Sequence, residues 1–228
     1  MTVAQIDSSL YDAILFDIDG TLIETDNRWA TMLATRLAWV KRLLPRADVV
    51  SFSHAVVMGI ETPGNYAIAG LERLGLAKYL GELGDRVRRS KGLATQAEQE
   101  LVRGTRELLA ELQPRFLLAV VTTRARPEAN AFLTKLDLAR YFPVVITRQD
   151  VMRMKPHPEP LLKAAAGLGV SPKRCIMVGD TSIDMRSARR AGALAVGVLS
   201  GFGTRAELLR GGAQVIIEYA ADLALLLH

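Results

Sequence analysis

The chain is poor in cysteine: it has one, Cys175, in 228 residues. An internal disulfide is therefore excluded, and a reducing, cytoplasmic location is expected. Cys175 sits in the apolar run "CIMV" and reads as core packing. No apolar run approaches the ~20 residues that span a bilayer, so no membrane partner is expected. The opening "MTVAQIDSSLYD" lacks the basic-then-apolar pattern of a signal peptide. No block of like charge resembles a nucleic-acid-binding tail. Internal repeats and low-complexity segments are absent. Lys and Arg number 29 against 24 Asp and Glu, a net charge of +5. That surplus suits an anionic ligand and does not demand nucleic acid.

What the chain has is apolar material, 50% of its residues, enough for a sizeable core if it folds compactly. Its rhythm changes along the sequence. A short strand is expected at roughly residues 12–17. From about Thr25 to about Gly92 the patterns are helical. "NRWATMLATRLAWVKRLL" places Trp29, Met32, Leu33, Leu37 and Val40 at three- and four-residue spacings, and Pro45 stops it. After about Ala94 strands and helices alternate. A helix "TQAEQELVRGTRELLAEL" leads to the strand "FLLAVVT", then a helix from Pro127 and a strand "VVIT". A helix after Pro158, the strand "CIMVG", the helix "DMRSARRA" and the strand "LAVGV" follow, and "AQVIIEYAADLALLL" supplies a last strand and helix. Continuous apolar strands alternating with helices predict a parallel sheet covered on both faces. The expected fold is α/β: a doubly wound core from residues 1–24 and 94–228, with a helical insert over 25–93.

Ligands of open parallel sheets sit beyond the carboxyl ends of the strands. Polar features of this chain collect there. Asp17 and Asp19 follow the first strand, Thr122 ends "FLLAVV", Lys155 precedes a helix, and Asp180 and Asp184 follow "CIMVG". Residues two apart on an extended backbone point the same way, so Asp17 and Asp19 reach one small volume. Adding Asp180 places three carboxylates together, and their repulsion calls for a cation. A hard divalent ion with oxygen ligands answers it, and Mg²⁺ suits a sparse carboxylate site. Lys155 adds fixed positive charge, and Thr122 adds a hydroxyl. Metal, lysine and hydroxyl together suit phosphoryl transfer. Asp17, at the strand tip, is the better-placed nucleophile, with Asp19 as acid and base. Each feature is common by itself. A "DIDGT" turn, a strand-end threonine, a surface lysine and a helix N-cap at Asp180 or Thr181 all have structural explanations. Their joint occurrence, in this order and at strand ends, is what points to a site.

These stretches resemble the four motifs of the haloacid dehalogenase-like superfamily of phosphohydrolases. "FDIDGTLIE" is similar to the first motif, "VVTTR" to the second, Lys155 in "KPHPEP" to the third and "VGDTSIDMRSARRAG" to the fourth. The resemblance implies a Rossmann-like core with a helical cap inserted after the first strand, and a phosphoglycolate-phosphatase-like enzyme. It implies that Asp17 is the nucleophile and a Mg²⁺ ligand. Asp19 would be the acid/base, binding the metal through its backbone carbonyl. Thr122, Thr123 and Lys155 would hold the phosphoryl group, with Gly20 giving the turn room and Thr21 tying it by a hydrogen bond. Asp180 would ligate Mg²⁺, and Asp184 would support it directly or through water. Cap residues expected near the leaving group are His54, Met58, Glu61, Asn65 and Tyr66.

Two departures matter. Thr123 and Arg124 stand where phosphoglycolate-phosphatase-like members often have Asn after the motif threonine, which brings an extra cation near the site. No lysine lies between Lys41 and Lys78, which removes the Schiff-base residue of phosphonoacetaldehyde hydrolases. The expected activity is Mg²⁺-dependent hydrolysis of a small phosphorylated metabolite through an aspartyl-phosphate. A phosphosugar mutase shares the core residues and is the near alternative. A catalytically silent binding or regulatory module is the alternative of another class, but no nucleophile or metal ligand is missing. The basic run "RVRRSK" reads as a solvated helix face, so a nucleic-acid partner is not expected.

Overall fold

A strand covered on both faces has no polar side, so its sequence runs apolar without alternation. "AILF" is such a run. It forms β1, Ala13–Phe16, with all four residues buried. The computed structural model describes residues 5–24 and 100–228. Among them five more strands follow: β2, Leu117–Val121; β3, Val144–Ile146; β4, Cys175–Gly179; β5, Leu194–Val198; and β6, Val215–Ile217. All pair in parallel, in the order β3-β2-β1-β4-β5-β6. β1 is central, with Ala13 opposite Leu117 on one side and Cys175 on the other. The order reverses between β1 and β4, and at such a reversal a crevice opens beyond the carboxyl ends.

Among the described residues five α-helices cover the sheet: α1, Thr105–Leu112; α2, Arg126–Lys135; α3, Glu159–Leu168; α4, Ser182–Ala191; and α5, Arg205–Gly211. Alternate strand residues feed two cores. Ile14, Phe16, Leu118, Val120, Ile176 and Val178 pack with Leu109 and Leu112 of α1 and Phe132 and Leu133 of α2. Ala13, Leu15, Ala119, Val121, Cys175 and Met177 pack with Leu161 and Ala164 of α3, Met185 and Ala188 of α4, and Leu208 of α5. The fold is thus the doubly wound α/β sheet that the alternation of runs predicts.

Four local features sharpen the sequence reading. The helix expected over 95–112 begins only at Thr105, after Gly104 at a φ of 77°. Residues 95–99 lie outside the described residues. Ahead of Gly104, the backbone is committed elsewhere: Leu101 bridges Ile23, and Val102 N donates to Leu22 O at 3.0 Å. The tail helix is a 3₁₀ run, Ala220–Leu225, and just beyond it Leu227 bridges Ile6. α5 was not expected, although Thr204 and Glu207 form a capping box at its start. Finally, Glu24 N donates to Glu100 O at 2.9 Å, so the segments flanking residues 25–99 are paired. By contacts the chain divides into two compact units, Met1–Thr25 with Glu100–His228, and Asp26–Gln99. The elements above belong to the first.

Candidate active site

The two central strands deliver the first two carboxylates. Asp17 follows β1, and its N–H donates to Val178 O at 3.0 Å, extending the β1–β4 ladder by one bond. Its Oδ1 accepts from Ile18 N at 2.8 Å. Asp180 follows β4 and is buried. The third carboxylate, Asp184, stands one turn into α4. Thr181 is the N-cap, and Asp184 Oδ2 accepts from Thr181 N at 3.1 Å and from the Thr181 hydroxyl. Oxygens of Asp17, Asp180 and Asp184 lie within 4.8 Å of one another.

Lys155 ties them to β2. Its ammonium donates to Asp184 Oδ1 at 2.6 Å and to Val121 O at 3.0 Å, and stands 3.1 Å from Asp17 Oδ2. Three acceptors match the three ammonium protons. Burial works against the charge of Lys155, yet Asp17 and Asp184 outweigh it and hold its pKa above the ordinary lysine value. The carboxylates shift upward as well, which for an acid disfavours the charged form. Burial foremost pushes Asp17 up to about 7; Lys155 pulls it down, and the charges of Asp184 and Asp19 add to the rise. Burial, then the charges of Asp184 and Asp17, hold Asp180 well above the usual carboxylate range. One lysine does not neutralise this cluster.

Asp180 is where the deficit concentrates. Oδ2 accepts from Phe202 N at 2.8 Å, whereas the buried Oδ1 has no hydrogen-bond partner. A buried carboxylate oxygen without a donor is expensive. A hard divalent cation fits such an oxygen beside Asp17, whereas softer N/S-seeking metals do not. The walls are built close. Gly20, at a φ of 70°, lies so near that a Cβ there would stand 2.4 Å from Asp180 Oδ2, and one on Gly201 would stand 2.0 Å from it. The loop after β5 completes the cradle. Gly203 N donates to Asp180 O at 3.0 Å, and Ser200 Oγ donates to Gly20 O at 2.7 Å.

The structure therefore brings together Asp17, Lys155, Asp180, Asp184 and Gly20. Thr122 directly follows β2, where its N–H donates to Ile146 O at 2.9 Å. Its hydroxyl oxygen accepts from Arg124 N at 3.1 Å. Thr123 is half-buried and makes no hydrogen bond to the acidic cluster. The carboxylate of Asp19 turns to Arg124, which donates to it from Nε at 2.8 Å and from Nη2 at 2.5 Å. The expected tie from Thr21 is not made: its Oγ1 is buried without a hydrogen-bond partner. His54, Met58, Glu61, Asn65 and Tyr66 lie outside the described residues. Sequence reasoning missed the Ser200–Gly203 loop. Its closely spaced glycines in "SGFG" were the available signal, since a backbone that must approach a carboxylate has no room for Cβ. Cys175 is buried in the core, as its apolar run predicts, and burial pushes its thiol up to about 11.

With this geometry in place, likeness to known proteins is informative. A family model for haloacid dehalogenase-like hydrolases matches residues 14–198. The phosphoglycolate phosphatase of Shigella dysenteriae is 30% identical over 228 aligned positions, covering 92% of this chain and 90% of that one. The phosphoglycolate phosphatase of Salmonella typhi is 39% identical over 106 residues, 46% of this chain, and the chain spans only 42% of that enzyme's length. Among solved structures, a hydrolase from Pseudomonas syringae superposes with a TM-score of 0.66 at 27% identity, covering 94% of this chain and 96% of that one. A Thermotoga maritima protein provisionally described as a beta-phosphoglucomutase gives 0.64 at 26% identity, covering 94% and 98%. The chain belongs to the haloacid dehalogenase-like hydrolases, an enzyme family, and is phosphoglycolate-phosphatase-like within it.

Proposed function

We propose that the protein is a Mg²⁺-dependent phosphatase that hydrolyses a small phosphorylated metabolite through an aspartyl-phosphate on Asp17. The observation that carries this is the buried, partnerless Oδ1 of Asp180 within reach of Asp17, with Lys155 bonded to the same cluster. In the first half-reaction an Asp17 oxygen bonds to phosphorus as the bond to the leaving oxygen breaks, and Asp19 gives that oxygen a proton. In the second, a water oxygen bonds to phosphorus, the bond to Asp17 breaks, and Asp19 takes the proton. Lys155 and the Thr122 hydroxyl hold the phosphoryl oxygens, together with Thr123, the next residue after Thr122. Asp17, Asp180 and the Asp19 backbone carbonyl would hold Mg²⁺. Asp184 would act through water, because Lys155 and Thr181 already engage its two oxygens. Bound Mg²⁺ supplies positive charge to offset the carboxylates and the transferring phosphoryl group.

Residues 25–93 form the cap in this reading, with His54, Met58, Glu61, Asn65 and Tyr66 toward the leaving group. The enzyme is cytoplasmic, in keeping with its buried free thiol. No helix among the described residues is long and apolar enough to cross a membrane. The names of the curated relatives make 2-phosphoglycolate the first substrate to try. The Thermotoga maritima neighbour keeps one second reading, a phosphosugar mutase, in which a sugar hydroxyl replaces water as acceptor. A phosphate-release screen with Mg²⁺ over 2-phosphoglycolate, sugar phosphates, nucleoside monophosphates and pyrophosphate tests it. Release from at least one ester, silenced by EDTA, is expected. Release from none, or full activity in chelator, contradicts the proposal.

A further inference from the structure

Arg124 occupies an unusual place. It follows the strand-end Thr122 by two residues and reaches the other catalytic loop. Its guanidinium grips the Asp19 carboxylate at both oxygens, Nε to Oδ2 at 2.8 Å and Nη2 to Oδ1 at 2.5 Å. A two-point fork fixes orientation as well as position, because both planar groups must align. Arg124 is itself held. Its N–H donates to Thr122 Oγ1 at 3.1 Å, and its carbonyl accepts from Arg148 N at 3.2 Å. Its guanidinium carbon stands 5.9 Å from the Phe132 ring centroid, over a buried aromatic of α2. The Arg124 side chain is 15% exposed against 34% for Asp19, so the fork comes from the protein side and leaves the carboxylate partly open.

We infer that Arg124 is a positioning residue for Asp19, aiming its carboxylate as the base for water attack in the second half-reaction. The inference rests on the two-step reading above. In that step the water oxygen bonds to phosphorus while the phosphorus–oxygen bond to Asp17 breaks. The water proton passes to an Asp19 oxygen, and inorganic phosphate leaves. A carboxylate held by its two oxygens on one edge still offers each oxygen's other lone pair to water. The first half-reaction makes a different demand, since there Asp19 must carry a proton. With an aryl phosphate the leaving oxyanion is stable and needs no proton, so that demand disappears. The two halves can then be separated by the choice of substrate.

The test is rapid-mixing hydrolysis of p-nitrophenyl phosphate by the full chain with Mg²⁺. For Arg124→Ala, the first turnover should release about one p-nitrophenolate per enzyme at the wild-type rate. Steady turnover should then be slower by about 10- to 100-fold, the cost of a misplaced catalytic group. Arg124→Lys keeps the charge and most of the stem but loses the fork. It should show the same burst with a smaller loss, and it serves if the alanine variant does not fold. An unchanged steady rate in both variants overturns the inference. So does a first turnover slowed as much as the steady state, because a merely structural role damages both halves alike. Asp17→Asn separates the two levels. If it is inactive while Arg124 variants turn over normally, only the inference fails; if it still hydrolyses the ester fully, the two-step reading fails.

Discussion

Asp180 keeps one carboxylate oxygen on the Phe202 N–H and leaves the other without a donor, inside a cluster with Asp17 and Asp184. This arrangement suits metal binding better than stability. Asp180→Asn removes one charge from the crowd while keeping an oxygen for Phe202. The metal-free variant should melt higher than the metal-free parent, by about 2–4 °C if the relief is about 1 kcal/mol. It should also lose the melting increase that Mg²⁺ gives the parent. A lower melting temperature with an intact Mg²⁺ response would contradict this. The pH dependence follows from Asp17. Its folded pKa of about 7 lies above the ordinary 3.8, so the metal-free folded state binds more protons between those values. Stability of the metal-free protein therefore falls as pH rises through that window. Mg²⁺ takes the deprotonated carboxylates. The Mg²⁺-induced rise in melting temperature should be larger near pH ~8 than near pH ~5, and equal rises at both would refute the assignment.

At the scale of elements, much was legible because apolar runs and glycine punctuation act locally. "CIMVG" and "LAVGV" are strands residue for residue. Asp17, Lys155, Asp180 and Asp184 were found because each stands beside a strand end or helix start that the pattern marks. What was not legible depends on distant pairing. Helix formation over 101–104 is overridden by bonds to Leu22 and Ile23, residues far away in sequence. The Arg124–Asp19 pair joins loops after two different strands, and nothing in "TTRAR" names its partner. The Ser200–Gly203 loop belongs to the same class, and it gives a further prediction. A Cβ on Gly201 would lie 2.0 Å from Asp180 Oδ2. Gly201→Ala should displace Asp180 and weaken Mg²⁺ binding about tenfold or more, in line with changes to groups that orient metal ligands. Circular dichroism should stay that of the parent. Unaltered Mg²⁺ titration by calorimetry would show that the loop can yield without moving the carboxylate.

For the whole molecule, one topological fact organises the rest. The sheet reverses order between β1 and β4, so Asp17 and Asp180 emerge side by side at the crevice. Lys155, from the loop before α3, and Asp184, from the first turn of α4, then close the cluster at the same edge. Net charge enters only as a bias toward anions: at +5, hydrolysis of a small ester should depend weakly on salt. A steep fall in activity with salt would instead point to a polyanionic nucleic-acid substrate. The central claim is covalent chemistry at Asp17. It is tested most directly by quenching the protein in acid during Mg²⁺-supported turnover and measuring intact and peptide mass. The prediction is a single phosphoryl group on the peptide carrying Asp17, absent from Asp17→Asn and from protein treated with EDTA. Substantial Mg²⁺-dependent hydrolysis by Asp17→Asn, with no phosphorylated peptide in the parent, would contradict it.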